Sequence, residues 1–301
     1  MNKILCLRLD FLGDVLLCSP LLRSLKNRFP NAEIHFLTNS ECRDLSSLVP
    51  SVDVWHFHSG SVRQTAAALW NQKFDLVIDF QSNSTTRWIS FLLFRKTISI
   101  KTEERKSGQH VVDYYFEALR SLELKNDEFG IVLDSKALPA ISIELPPVYD
   151  VFALGARRVT RVISYPKMIE LVNRWEGKLV LLGDDWDKNF ADRLELLFPE
   201  KIFNLCGTTN IVQSASIVLG ARKVITHNSF MMHLAAALKK QPFVLYTNTS
   251  PSDGYAPYLA SYEAIMLDDL GCRPCVKLES DVCPLYHFDC GNKIKLDAIF
   301  D

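Results

Sequence analysis

One stretch, Lys223 to Tyr246 (KVITHNSFMMHLAAALKKQPFVLY), constrains the fold more than any other. Val224, Ile225 and Thr226 are β-branched and read as a buried strand. Asn228 and Ser229 are good N-caps, and Met231, Leu234, Ala235 and Leu238 then recur at helical spacing. Pro242 lies just past the helix, and Phe243 to Leu245 make the next strand. This is a βαβ unit whose polar turn falls at the carboxyl end of its first strand, where open parallel sheets bind ligands. Backbone N–H groups of Met231 and its neighbours would face such a ligand, and the helix dipole favours an anion such as a diphosphate. An ordinary, well-capped crossover is the competing reading of these residues alone.

The rest of the chain repeats the pattern. Strand Lys3–Leu9, a turn over Asp10–Asp14 containing Gly13, and a helix through Val15 and Leu25 come first. Strands near 33–37, 52–57, 75–79 and 98–100 follow, with helices near 40–49, 61–71, 85–94 and 110–122 between and after them. The segment LPAISIELPP, 138–147, has three prolines and reads as a linker. Beyond it the alternation restarts, with strands near 150–154, 179–182 and 201–204 and helices near 166–175, 187–198 and 211–219. Such alternation predicts an α/β protein of two Rossmann-like domains, 1–145 and 146–301, facing each other across a cleft. Neither half carries G-x-G-x-x-G after its first strand, which argues against a dinucleotide oxidoreductase.

Composition narrows the class. Hydrophobic residues are 48% and charged residues 23%, as in a water-soluble globular protein, and a net charge of −1 gives no bulk attraction to nucleic acid. The start MNKILCLRLD is charged too soon for a signal peptide, and no run of eighteen apolar residues spans a membrane. Cys6, Cys18, Cys42 and Cys206 are scattered through apolar or helical stretches, as in a reducing compartment, so a cytoplasmic protein is expected.

Several residues sit where chemistry is expected. Asp14, at the start of the first helix, could accept a proton from an attacking hydroxyl; a carboxylate favoured there by the helix dipole is the structural alternative. The loop GARRVTR, 155–161, offers Thr160, Arg161 and two further arginines to a phosphate. Asn210 and Gln213 form a capping box, and His233 lies on the first turn of the central helix. Cys272, Cys275, Cys283 and Cys290, with His287 among them, supply enough ligands for a tetrahedral zinc; disulfides or free thiols fit the same spacing.

Together, and in order along nearly the whole chain, these segments resemble glycosyltransferase family 9, the ADP-heptose:lipopolysaccharide heptosyltransferases. RLDFLGDV, 8–15, with Ser19-Pro20-Leu21, looks like the family's opening, whose aspartate after the glycine is the general base. FDLVIDFQ, 74–81, resembles its mid-domain strand and acceptor-side loop. Gly155–Arg161 resembles the donor-phosphate loop, with arginine at 161 where lysine is usual. NLCGTT, 204–209, resembles the family's N-L-x-G-x-T segment and Thr226–Ala236 its donor motif, and Thr249-Ser250-Pro251 and the cysteine-rich tail are also similar.

The resemblance implies a GT-B fold and an inverting, metal-independent transfer with no cofactor. Asp14 would be catalytic. Arg8, Gly13 and Gln81 would bind the acceptor; Thr160, Arg161, Asn228, Ser229, Met231 and His233 would bind the donor. The donor would be ADP-heptose and the acceptor a lipid-A-linked Kdo or heptose core at the cytoplasmic face of the inner membrane, with only peripheral membrane contact. Two positions depart from the family: Asn228 replaces an aspartate and Phe230 a glycine. Asparagine would still cap the helix, while phenylalanine adds a ring and restricts the backbone where glycine permits close approach to phosphate. An altered donor, weak donor binding, or a non-catalytic binding protein would each follow from these departures.

Overall fold

The computed structural model describes residues 1–273, 275 and 280–300. The chain divides into two compact units, Met1–Ala137 and Leu138–Asp301. The proline-rich segment 138–147 therefore clusters with the second unit, where Ser216 donates to the Pro139 carbonyl at 2.9 Å.

The first unit runs β1 (Lys3–Leu7), α1 (Leu12–Arg28), β2 (Glu33–Thr38), β3 (Val54–Phe57), α2 (Val62–Trp70), β4 (Leu76–Asp79), α3 (Ser84–Leu92), β5 (Thr97–Ser99) and α4 (Val111–Ala118). Ser40–Ser47, expected as an α-helix, is a 3-10 helix. The five strands form one parallel sheet in the order β3-β2-β1-β4-β5. Helices cover both faces of its centre, so β1 after Lys3 and β4 before Asp79 are continuous apolar runs rather than alternating ones. Leu5, Leu7, Leu37, Phe74, Val77 and Ile89 pack one side of that sheet.

The second unit runs β6 (Asp150–Ala153), α5 (Tyr165–Arg174), β7 (Leu179–Leu182), α6 (Lys188–Leu197), β8 (Ile202–Asn204), α7 (Ile211–Gly220), β9 (Val224–His227), α8 (Phe230–Ala237), β10 (Phe243–Tyr246) and β11 (Glu263–Met266). Its parallel sheet has the order β11-β10-β9-β6-β7-β8, the doubly wound pattern with its reversal between β6 and β9. Phe152, Met168, Leu171, Trp175, Leu181 and Ile225 belong to its larger core.

In both units the strand order reverses beside the first strand: between β1 and β4, and between β6 and β9. Loops leaving the carboxyl ends of these pairs diverge to opposite faces and leave a crevice for a ligand. The expected α/β architecture of two Rossmann-like units is the fold observed.

Candidate active site

In the first unit, the reversal brings the loop after β1 against the loop after β4. Leu7 pairs with Asp79 at the end of the ladder, and Arg8 and Gln81 follow immediately. The buried Arg8 guanidinium donates through Nη1 to the Phe80 carbonyl at 2.9 Å and pairs through Nη2 with Asp14 Oδ2 at 2.8 Å. Burial opposes the Arg8 charge, but Tyr115, Asp14 and Cys18 outweigh it and hold its proton more tightly than usual. The Gln81 carboxamide accepts from the N–H groups of Leu9, at 2.8 Å, and Asp10, at 3.3 Å, and donates to Asp10 Oδ2. Three of the expected residues, Arg8, Asp14 and Gln81, thus meet at one crevice. Gln81 engages its amide in holding the turn.

The turn itself differs from expectation. Helix α1 already starts at Leu12, so Gly13 and Asp14 lie inside its first turn. The residue that bends the chain is Phe11, at φ 59°, ψ 124°. A left-handed backbone is costly for any residue with a Cβ, so this turn holds strain beside the candidate base. Asp79 was not singled out by sequence. Burial pushes its carboxyl above the ordinary value against the N–H groups of Ser82, at 2.8 Å, and Gln81, at 3.0 Å. Its signal was an acid closing a fully buried strand.

In the second unit, three loops are tied together at the carboxyl edge of the sheet. Thr160 and Arg161 sit on a 3-10 turn, Val159–Arg161, after β6. The Thr160 carbonyl accepts from Thr247 Oγ1 at 2.6 Å, and its hydroxyl accepts from Asn248 Nδ2 at 3.2 Å while donating to the Ser280 carbonyl at 2.5 Å. His227, at the end of β9, accepts from the Ile163 N–H through Nε2 at 3.1 Å and fastens the arginine loop to the central turn. Burial drives this imidazole down to about 4, so it is neutral at physiological pH. Arg161 is half-buried, and Arg158 pairs with Asp281 at 2.9 Å.

Asn228 does not cap α8 with its side chain. It is buried, and Nδ2 donates to Thr249 Oγ1 at 2.9 Å, tying the central turn to the loop after β10. Ser229 holds the N-cap position but makes no side-chain cap bond; its hydroxyl lies 3.3 Å from Thr226 Oγ1. The first turn of α8 therefore presents N–H groups that no N-cap side chain satisfies, as anion sites require. Met231 on that turn is half-buried and His233 buried. The capping box of α7 forms as expected: Gln213 N–H donates to Asn210 Oδ1 at 2.8 Å, and Asn210 N–H to Gln213 Oε1 at 3.0 Å.

Asp187, at the start of α6, was also missed by sequence. Its Oδ2 accepts from the Asp184 N–H at 3.0 Å, and burial raises its carboxyl to about 6. A Cβ added at Gly155 would lie 2.2 Å from Asp187 Oδ2, and one at Gly183 2.5 Å from it. Two glycines at the ends of β6 and β7 thus make room for one carboxylate.

All eight cysteines are free, and Cys272, Cys275, Cys283, Cys290 and His287 line a cavity of about 460 Å³ with Thr160, Asn248 and Arg273. Slight burial raises the Cys283 thiol, but the N–H groups of Phe288, Leu285, His287 and Tyr286 bring it below its ordinary value, whereas burial pushes Cys290 up to about 11. Among the described residues no group of three or more His, Cys, Asp or Glu side chains is arranged to hold a metal ion.

Two doubly wound units, each with polar side chains gathered at its reversal point, make up a GT-B fold. The model of glycosyltransferase family 9 (heptosyltransferase) matches residues 62–285, and the chain belongs to that family of glycosyltransferases. The chain is 24% identical over 316 residues to lipooligosaccharide heptosyltransferase 2 of Haemophilus ducreyi, covering 88% of each. It is 24% identical over 300 residues to lipopolysaccharide heptosyltransferase 2 of Salmonella typhimurium, covering 83% of this chain and 84% of the relative. Among solved structures, E. coli ADP-heptose lps heptosyltransferase II superposes with a TM-score of 0.75 at 20% identity, over 89% of this chain and 91% of that one. E. coli heptosyltransferase WaaC with ADP gives 0.69 at 17%, over 87% and 93%.

Proposed function

We propose that this chain transfers a heptose, or a closely related sugar, from an ADP-sugar to the inner core of lipopolysaccharide with inversion at the anomeric carbon. The observation that carries the proposal is the pairing of Asp14 with buried Arg8 at the reversal point of the first sheet. Asp14 takes the proton of the acceptor hydroxyl as that oxygen attacks the anomeric carbon. The bond from that carbon to the diphosphate breaks, and ADP leaves with the electron pair. Neutralising the departing diphosphate falls to Arg161 and to the N–H groups at the start of α8. The family resemblance, rather than any feature of the fold, carries the expectation that no metal takes part.

Under this reading the first unit, Met1–Ala137, takes the acceptor through Arg8, Gly13 and Gln81. The second, Leu138–Asp301, takes the nucleotide through Thr160, Arg161, Asn228, Ser229, Met231 and His233. Asp187 joins this set: it follows the second strand in the doubly wound order, from which an acidic residue reaches ribose hydroxyls in dinucleotide-binding sheets. The acceptor is a lipid-A-linked Kdo or heptose core at the cytoplasmic face of the inner membrane, met by peripheral contact. No helix of the described residues is long and apolar enough to cross a membrane.

A different sugar-nucleotide donor is the second reading, favoured by Asn228. An aspartate could only accept from Thr249, whereas Asn228 donates to it. The donor turn is therefore rebuilt around a neutral side chain. Calorimetric titration with ADP and ADP-heptose separates the readings. Binding of both, weakened in Arg161→Ala and His233→Ala, supports the proposal. Binding of another sugar nucleotide alone moves the donor, and binding of none removes the transferase reading in favour of a binding protein.

A further inference from the structure

Helix α3 leaves the acceptor-side loop, capped by Asn83 accepting from the Thr86 N–H at 2.9 Å. One of its faces is unusual for a water-soluble unit. Ile89 and Leu93 point into the core and are fully buried, but Trp88 is 59%, Phe91 60% and Phe94 69% exposed. Their rings touch in sequence: Trp88 and Phe91 centroids are 5.7 Å apart, Phe91 and Phe94 5.5 Å. Trp70, at the end of α2 and 48% exposed, extends the row with its centroid 6.1 Å from Phe94. Four adjoining aromatic rings on one surface are a patch, not scattered apolar residues. Phe94 also stands at φ 50° just past the helix end, where glycine is the easier residue. A large ring is kept there despite the backbone cost.

Charge around the ridge is one-sided. Arg87, Arg95 and Lys96 are exposed beside it. From Phe80 to Lys101 the sequence holds no carboxylate, although the whole chain has net charge −1. The nearby Asp75 carboxylate is engaged by the N–H groups of Asn2, at 2.5 Å, and Lys3, at 3.1 Å. A two-fold contact between copies through this ridge would set these cationic rims against each other, which argues against a second copy as the occupant. Aromatic rings that enter the interface, flanked by cations that meet phosphate headgroups, suit the surface of an anionic bilayer.

We propose that the ridge of Trp70, Trp88, Phe91 and Phe94, with its rim of Arg87, Arg95 and Lys96, is the surface by which the protein docks on an anionic membrane. This deepens the reading that the acceptor is lipid-linked and rests on it: docking holds the acceptor-side unit at the surface where a lipid-anchored sugar is found. The ridge lies outside the residues assigned to acceptor, donor and base, so docking and transfer are separable.

The test is flotation of the full chain with vesicles of phosphatidylethanolamine containing about a quarter phosphatidylglycerol, beside vesicles of phosphatidylcholine alone. The expected result is binding to the anionic vesicles that falls about tenfold or more in the triple variant Trp88→Ser, Phe91→Ser, Phe94→Ser. Arg87→Gln, Arg95→Gln, Lys96→Gln together should lower it severalfold, as should raised salt. Unchanged thermal melting and unchanged ADP titration would show that the variants remain folded. A wild-type chain that does not float, or a serine variant that floats equally well, overturns the proposal. So does a wild-type dimer in light scattering that the serine variant dissolves without any vesicle binding, which assigns the ridge to a second copy. Vesicle binding without transfer to a de-acylated acceptor would leave docking intact and sink the transferase reading alone.

Discussion

Arg8 Nη2 lies 2.8 Å from Asp14 Oδ2, with the two side chains only 11% and 16% exposed. The same guanidinium grips the Phe80 carbonyl, so one side chain joins the end of β4 to the first turn of α1. Arg8→Met would leave Asp14 without its counter-charge. Breaking a largely buried pair from one side is expected to cost about 2–3 kcal/mol, moderated by the solvent contact that Asp14 keeps. Urea unfolding checks this. A variant as stable as wild type would mean that the pair holds nothing in place.

Phe11 tests the strain in the adjoining turn. Phe11→Gly and Phe11→Ala both remove the ring, but only glycine relieves the left-handed backbone at φ 59°. The glycine variant should be the more stable of the two by about 1 kcal/mol in urea unfolding. If alanine is equal or better, the turn is not strained in solution.

His227 makes the second unit sensitive to acid. Its imidazole titrates near 4 when folded and near 6.5 when exposed, so the unfolded chain binds the extra proton first. Stability is complete above about pH 6.5 and is lost as pH falls towards 4, by about 3 kcal/mol if the full shift is realised. His227→Gln should flatten the melting temperature over that window relative to wild type. An unchanged slope would contradict a neutral buried imidazole.

Asp187 acts in the opposite direction. Its carboxyl is raised from 3.8 to about 6 by burial, so the folded state holds its proton longer and stability falls as pH rises through about 6. After allowing for partial exposure the effect is about 1–2 kcal/mol. Asp187→Asn should raise the melting temperature at neutral pH while weakening ADP binding about tenfold or more, as expected for losing a charged hydrogen bond to ribose. Gly155→Ala, whose Cβ would strike Asp187 Oδ2, should weaken binding in the same titration. Binding unaffected by both would remove Asp187 from the site.

Much of this was legible before any coordinates. The strands are legible because a parallel sheet covered on both faces requires continuous buried, mostly apolar runs, as in LVLL. The Asn210–Gln213 capping box is local and reads directly from spacing. Long-range partners are not local, and there the reading thins. Gly13 marks the right turn, but its conformational freedom is unused, and Phe11 bends the chain under tertiary constraint. Asn228 looks like a cap because asparagine commonly caps, yet a hydroxyl twenty-one residues away takes its side chain. His227 lies within a recognisable segment, but its neutral state follows from burial, and Asp187 carries no motif: nearby Gly183 and distant Gly155 make room for its carboxylate. Strand β11, unmarked by a following helix, was also missed.

The central claim is that Asp14 removes the proton from an acceptor hydroxyl while the second unit presents an ADP-sugar. The most direct test incubates wild type and Asp14→Asn with ADP-heptose and a de-acylated inner-core acceptor, following ADP release and the acceptor's gain of one sugar by mass spectrometry. Transfer by wild type that drops about 10²–10⁴-fold in the variant, with ADP titrating equally into both, is the predicted result. Equal transfer by the two proteins would contradict the assignment of Asp14 as the base.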